Sequence, residues 1–396
     1  MAFYVQHGHG KSDKITNALD DTSASGVIFA ARNEKVDKLD LYIATLRESY
    51  ECDLLFDPQF YVSTLIPAND RYLPDEYPYY EAGRTANDFI GSRKIASYVR
   101  DTIDFQTKRS FDRILSPTVI ANGFSDRWSQ IALQLADSSI EYHSGLADAA
   151  PLLVSLVLSE AALDSRSDLD AFLDTLTSWD VHGYYITIVR DDATYSQSFD
   201  EDRLAHLLYM VYVLADRNEF EVVCGYSDFI GIPLRAAGAT AFAGGWYQSL
   251  RQFHQKAFLK RKAGGQPPRL RYSSSPLLNS IMLGELESIS DAGYLDQVLS
   301  DVDLDSVITD AASPESSAWT SRISERHHWQ TLAKLDQDLG GQVRRDIAGL
   351  IDDVRQATGL YTALQAAGVP FERNTDGQHL VAWLAGLQAF ARIAGL

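Results

Sequence analysis

Apolar residues gather into short runs spaced along the first two thirds of the chain, at Phe3–Gln6, Gly26–Ala31, Cys52–Phe56, Ile114–Ala121, Leu152–Leu158, Tyr184–Val189, Glu221–Cys224 and Thr240–Ala243. Several are continuously apolar, as in Val154–Leu158, the pattern of a strand covered on both faces. Between them, Glu34–Tyr50, Asn87–Phe105, Asp126–Tyr142, Leu169–Trp179, Glu201–Asp216 and Trp246–Lys262 place apolar residues three and four apart, which predicts amphipathic helices. Alternating strands and helices imply a parallel sheet. Eight strands, with no GxGxxG turn after the first, point to a closed (β/α)8 TIM-type barrel in preference to an open doubly wound sheet.

The Gly264–Pro268 break reads as a boundary, after which the pattern is helical, at Ser275–Ser290, His328–Leu339, Gln342–Ala367 and Gly377–Leu396, with an Asp/Ser-rich loop over Ser300–Ser321. The chain of 396 residues thus divides into a barrel over 1–264 and an all-helical C-terminal domain over 265–396, in line with a barrel of roughly 250 residues. No run of eighteen apolar residues occurs, and the N-terminus turns polar at Gln6, which excludes a spanning helix and a leader there. Cys52 and Cys224, each in an apolar run, fit a reduced, cytoplasmic setting and no thiolate metal site.

Barrel chemistry sits where strands end. The residues after the apolar runs are Gln6, His7 and His9; Arg32 and Asn33; Asp57 and Gln59; Asn122; Ser159 and Glu160; Arg190 and Asp191; Tyr226 and Asp228; and Gly244, Gly245 and Trp246. Asp57, Glu160, Asp191 and Asp228 are a pool of acids, bases or nucleophiles, since crowded carboxylates push their pKa values apart. Asp57 is the foremost, because Pro58 fixes its exit from the strand. The bland alternative is pairing with Arg32 and Arg190, or helix capping.

His7-Gly8-His9 is an HxH directly after the first strand, similar to the opening motif of the amidohydrolase superfamily. That resemblance implies a divalent metal on His7 and His9. The chain departs from the family in lacking histidines after strands five and six, and His182 precedes strand six. The alternative is two histidines in a Gly-flanked turn.

Net charge is −19, which disfavours non-specific binding to nucleic acid or anionic membrane. Yet no Asp or Glu occurs between Asp228 and Glu285, where Arg235, Arg251, Lys256, Lys260, Arg261, Lys262, Arg269 and Arg271 lie. This window spans the corner after strands seven and eight, where barrels often hold phosphate, and Gly244-Gly245 would let backbone approach an anion. The competing reading is an amphipathic outer helix with solvated lysines. Pro67–Gly83, with Tyr72, Tyr77, Tyr79 and Tyr80, is a candidate lid or a docking loop for the C-terminal domain.

The expected function is therefore an enzyme on a phosphate-bearing substrate, a nucleotide or nucleic-acid component. It would hydrolyse or exchange a bond through Asp57, Glu160, Asp191 and Asp228 with help from His7 and His9, and bind substrate at Gln59, Asn122, Arg190, Tyr226, Gly244, Gly245, Trp246, Arg251 and Lys256. Its short final βα unit is similar to that of tRNA-guanine transglycosylases, although their late aspartate is Gly244-Gly245 here and their cysteine zinc site is absent. The alternatives are a glycoside hydrolase on a neutral sugar, and a non-catalytic barrel subunit whose helical C-terminus docks a protein partner of a defence or nucleic-acid-processing complex.

Overall fold

The computed structural model describes residues 2–191, 195, 198–260 and 269–396. Eight parallel strand positions ring a common axis: β1 (Phe3–Gln6), β2 (Gly26–Ala30), β3 (Asp53–Asp57), β4 (Ile114–Leu115 and Ile120–Ala121), β5 (Leu152–Ser159), β6 (Gly183–Val189), β7 (Glu221–Gly225) and β8 (Ala241–Gly244). Their order, β3-β2-β1-β8-β7-β6-β5-β4, is that of a TIM-type barrel, and every strand coincides with an apolar run of the sequence.

Two joints are irregular. The halves of β4 both pair with β5, and between them Pro117 has no N–H to give. There the Ser116 hydroxyl takes the Ser155 N–H at 2.9 Å in place of a ladder bond. Closure between β3 and β4 is made by Asp112, whose N–H reaches the Leu54 carbonyl at 2.9 Å and whose carboxylate takes the Leu54 N–H at 2.6 Å.

Strand side chains alternate between two cores. Tyr4, Ile28, Leu55, Leu115, Leu153, Tyr185, Val223 and Ala241 fill the barrel interior, while Phe3, Val27, Phe56, Val154 and Ile186 face the surrounding helices. Covering both faces makes these runs read as continuously apolar. The helices start where capping predicts: Asp126 takes the Ser129 N–H at 2.7 Å, and Asp200 takes the Arg203 N–H at 3.1 Å.

The C-terminal part is built on the helices Ser321–Gln337, Val343–Ala366 and His379–Ala394 around fully buried Trp329 and Trp383. It departs from an all-helical unit at one place. Arg271–Ser274 (β9) and Asn279–Met282 (β10) form an antiparallel hairpin, so the helix expected over Ser275–Ser290 begins at Leu283. Serine and asparagine buried on both faces of these strands leave no alternation to read. The boundary expected at Gly264–Pro268 lies outside the described residues.

The C-terminal part packs closely on the barrel at several points. Gly386 lets the last helix approach Glu201–Tyr212 so closely that an added Cβ would lie 3.0 Å from the Glu201 carbonyl and from Leu204. Asp336 takes both the Ala2 N–H and the Arg235 guanidinium at 2.7 Å. Among the described residues no helix is long and apolar enough to cross a membrane.

Candidate functional site

Inward-facing residues change character toward the C-terminal ends of the strands. Above the apolar layer come Gln6, Asp57, Ser155 and Thr187, all at most 5% exposed, with the Tyr185 hydroxyl among them. Among the described residues, both amide atoms of Gln6 and the Ser155 hydroxyl are buried without a hydrogen-bond partner. Each such atom costs about 1–3 kcal/mol when left unmade, so this layer is built to meet a polar guest.

Asp57 sits in this layer. Its carboxylate takes the Gln59 N–H and the Tyr61 hydroxyl, both at 2.9 Å, and no cation pairs with it among the described residues. Burial pushes its pKa up to about 7, with those two hydrogen bonds pulling the other way. Burial first, and the Asp57 charge next, hold the hydroxyls of Tyr61, Tyr185 and Tyr226 above the usual range.

Two chain exits are bent to make this arrangement. Gln59 and Tyr226 both adopt left-handed backbone, at φ 50° and 53°, a conformation that costs a non-glycine residue about 1–3 kcal/mol. The Gln59 side chain then spans the site, accepting the Arg32 N–H at 2.9 Å and donating to the Tyr226 hydroxyl at 3.3 Å. Arg32 is 8% exposed. Its guanidinium lies over the Phe258 ring at 4.3 Å and donates to the Asn69 and Ala257 carbonyls. Nε has no hydrogen-bond partner among the described residues. Burial pulls its pKa down to about 10, so it stays charged at neutral pH with no carboxylate partner among the described residues.

The other three acids are committed elsewhere. Glu160 binds buried Arg190 as an ion pair and takes the Asp191 N–H at 2.9 Å. Exposed Asp191 pairs with Arg203 at 2.9 Å. Asp228, also left-handed at φ 49°, takes the His328 Nε2–H at 2.6 Å. The expected carboxylate pool is thus one unpaired acid and three paired ones.

His7 and His9 differ in exposure and contacts. Buried His7 accepts the Ala30 N–H on Nδ1 at 3.3 Å, and burial followed by the Lys11 charge drives its pKa down to about 3. His9 is exposed, and its carbonyl takes the Trp246 indole N–H at 3.0 Å. No group of three His, Cys, Asp or Glu side chains that could hold a metal occurs among the described residues.

The glycine corner is filled by its own chain. A Cβ on Gly245 would lie 2.5 Å from Leu250 and 2.7 Å from the Gln6 carbonyl, and one on Gly244 would lie 3.4 Å from the Asp228 carboxylate. Close packing accounts for Gly245, and beside Gly244 an acid stands where an anion was expected. Nor does a long helix follow. The chain makes one helical turn at Gln248–Arg251, then runs past β6, where the Phe253 carbonyl takes the Arg190 N–H at 2.8 Å, before a 3₁₀ turn at Gln255–Phe258. Arg251 is buried and donates to the Gly245 carbonyl at 3.0 Å; Lys256 and Lys260 are exposed, and Arg261 and Lys262 lie outside the described residues. Asn122 is exposed, and its N–H donates to Asp126 at 3.3 Å.

In the tyrosine stretch Tyr77, Tyr79 and Tyr80 are buried in the core, while Tyr72 is exposed. Tyr77 and Tyr79 pack on Phe105 at 5.1 and 5.8 Å between ring centres, and their hydroxyls bond the Glu34 and Pro58 carbonyls at 3.0 Å.

Sequence reasoning passed over Tyr61, Tyr185, Ser273 and His328. Tyr185 was legible, as an inward position of a period-two strand. The other three depend on contacts between distant segments.

No family model matches the chain, and no curated protein matches it. Among solved structures it is similar to nitroalkane oxidase from Streptomyces ansochromogenes at 12% identity and a TM-score of 0.30, over 87% of this chain and 97% of that one. A likeness at that level carries no argument about chemistry.

Proposed function

We propose that the chain is an enzyme that hydrolyses or exchanges a bond of a phosphate-bearing small molecule by acid–base chemistry at the barrel mouth. Asp57 handles the proton and Arg32 holds the negative charge. The observation that carries the reading is Asp57 itself: alone of the four mouth acids it has no arginine or histidine side chain bound to it among the described residues, and burial brings its pKa to about 7, where a carboxyl both gives and takes a proton at neutral pH. Buried Arg32, charged and without a carboxylate partner, supplies what an anionic substrate requires.

Calorimetric titration with inorganic phosphate and adenosine monophosphate at low salt tests it. Binding to the parent that weakens about tenfold or more in Arg32→Gln is expected, from the loss of one charge-assisted contact. If neither probe binds the parent, the reading falls.

A second reading, a barrel without catalysis that serves as a subunit, is favoured by the ion pairs that occupy Glu160 and Asp191. Under it, Asp57→Asn would change no activity and binding would be confined to protein partners.

A further inference from the structure

At the seam between the barrel and the C-terminal part, four side chains from three distant segments form one hydrogen-bonded chain. The Asp228 carboxylate, at the exit of β7, contacts His328 Nε2 at 2.6 Å. His328 Nδ1 contacts Ser273 Oγ, on β9, at 2.7 Å. Ser273 Oγ contacts Ser280 Oγ, on β10, at 2.8 Å. Asp228, His328 and Ser273 are all at most 3% exposed.

The direction of each bond follows from protonation. Burial, then the charge of Arg251, lowers the His328 pKa to about 4, so the imidazole is neutral with one N–H. The His328 contact holds Asp228 ionised and below the usual carboxylate range although burial pushes the other way. An ionised carboxylate only accepts, so the one N–H sits on Nε2 and Nδ1 is a bare acceptor. The Ser273 proton must then point at Nδ1, and Ser280 donates to Ser273. This is the state of a hydroxyl whose proton is already aimed at a base fixed by an acid, a constellation defined by geometry and roles and not by order in the chain.

Positive charge stands beside it. Arg251 is close enough to act on both His328 and Arg271, and the two guanidinium residues are 7% and 8% exposed. Arg271 donates to the Ser280 carbonyl at 2.7 Å and lies 4.0 Å from the Tyr195 ring. Neither arginine forms an ion pair among the described residues. Two buried cations next to an oriented hydroxyl suit a reacting centre that carries negative oxygens.

We infer that Ser273 is a nucleophile activated by His328 and Asp228, in a second catalytic centre for phosphoesters at the seam. Ser273 Oγ bonds to phosphorus, its proton moves to His328 Nδ1, and the ester oxygen of the alcohol leaves, taking that proton. Water then breaks the Ser273–phosphorus bond by the reverse proton path, restoring the serine and releasing the phosphate product. Arg251 and Arg271 bear the charge on the phosphoryl oxygens.

The test is covalent. A fluorophosphonate reacts with such a serine by forming an Oγ–P bond and releasing fluoride, which leaves a mass tag. The full-length folded protein is incubated with the probe for hours, since the trio is buried, then examined by intact mass and peptide mapping. One adduct on Ser273 is expected, with labelling slowed on the order of 100-fold or more in His328→Gln, the scale of a lost general base. Turnover of bis(4-nitrophenyl) phosphate should disappear in Ser273→Ala. Mapping is read on the parent, so a variant that fails to fold does not blur the result. No adduct on the folded parent, an adduct on another residue, or turnover confined to 4-nitrophenyl acetate would each overturn the inference. Labelling that persists in Asp57→Asn separates this centre from the one at the barrel mouth.

Discussion

Replacing Asp57 with asparagine should make the protein more stable at alkaline pH, an outcome opposite to that of most buried substitutions. In the folded chain the Asp57 pKa lies at about 7 against an ordinary 3.8, so between those values the native state holds a proton that the unfolded chain has released. Stability contributed by this group is therefore full below the lower value and declines as pH rises to the upper one. At 1.36 kcal/mol per unit, the cost of ionising it in place is at most roughly 4 kcal/mol. Asparagine has nothing to ionise, but its amide cannot accept from both Gln59 N–H and the Tyr61 hydroxyl, a loss of about 1–2 kcal/mol. The variant should equal or fall below the parent at pH near 4 and exceed it by roughly 2–3 kcal/mol at pH near 8. Urea unfolding of both proteins across that range measures the difference, and other titrating groups cancel. Parallel stability curves, or a gap of the opposite sign, would show that Asp57 is an ordinary ionised carboxylate and remove the acid–base argument.

The remaining predictions separate packing from chemistry. Glu160→Gln removes the carboxylate that pairs with buried Arg190 and should cost about 3–5 kcal/mol, whereas Asp191→Asn, at an exposed pair, should stay within about 1 kcal/mol in the same urea assay. His328→Ala removes the side chain that binds the buried Asp228 carboxylate at 2.6 Å and should cost about 3–5 kcal/mol, much of it recovered when Asp228→Asn is added, as a double-mutant cycle would report. For Gly183→Ala, the new Cβ would lie 1.9 Å from the Glu221 carbonyl, so the β6–β7 ladder must separate. A loss of about 1–3 kcal/mol or more is expected, and an unchanged melting temperature would contradict the strand register.

The sequence by itself determined the barrel. Eight apolar runs alternating with helical stripes define parallel strands covered on both sides, and that pattern is local: each run fixes its own strand through the need to bury both faces. It also marked the strand exits, and so Asp57, because a polar residue ending an apolar run must lie at an end of the barrel. What pairs with each exit was not local. Glu160 and Arg190 are thirty positions apart, Asp228 and His328 a hundred, and only the folded chain shows that Asp57 is the acid left without an arginine or histidine partner among the described residues. The glycine corner carried the reverse lesson, since sequence reports that a side chain is absent but not whether the space belongs to a ligand or, as here, to Leu250 and the Gln6 carbonyl. Likewise the serines of β9 and β10 read as helix or loop until Asp228 and His328, brought across the seam, gave their hydroxyls partners. Polar residues are placed by the contacts that satisfy them, and those contacts exist only once distant segments meet.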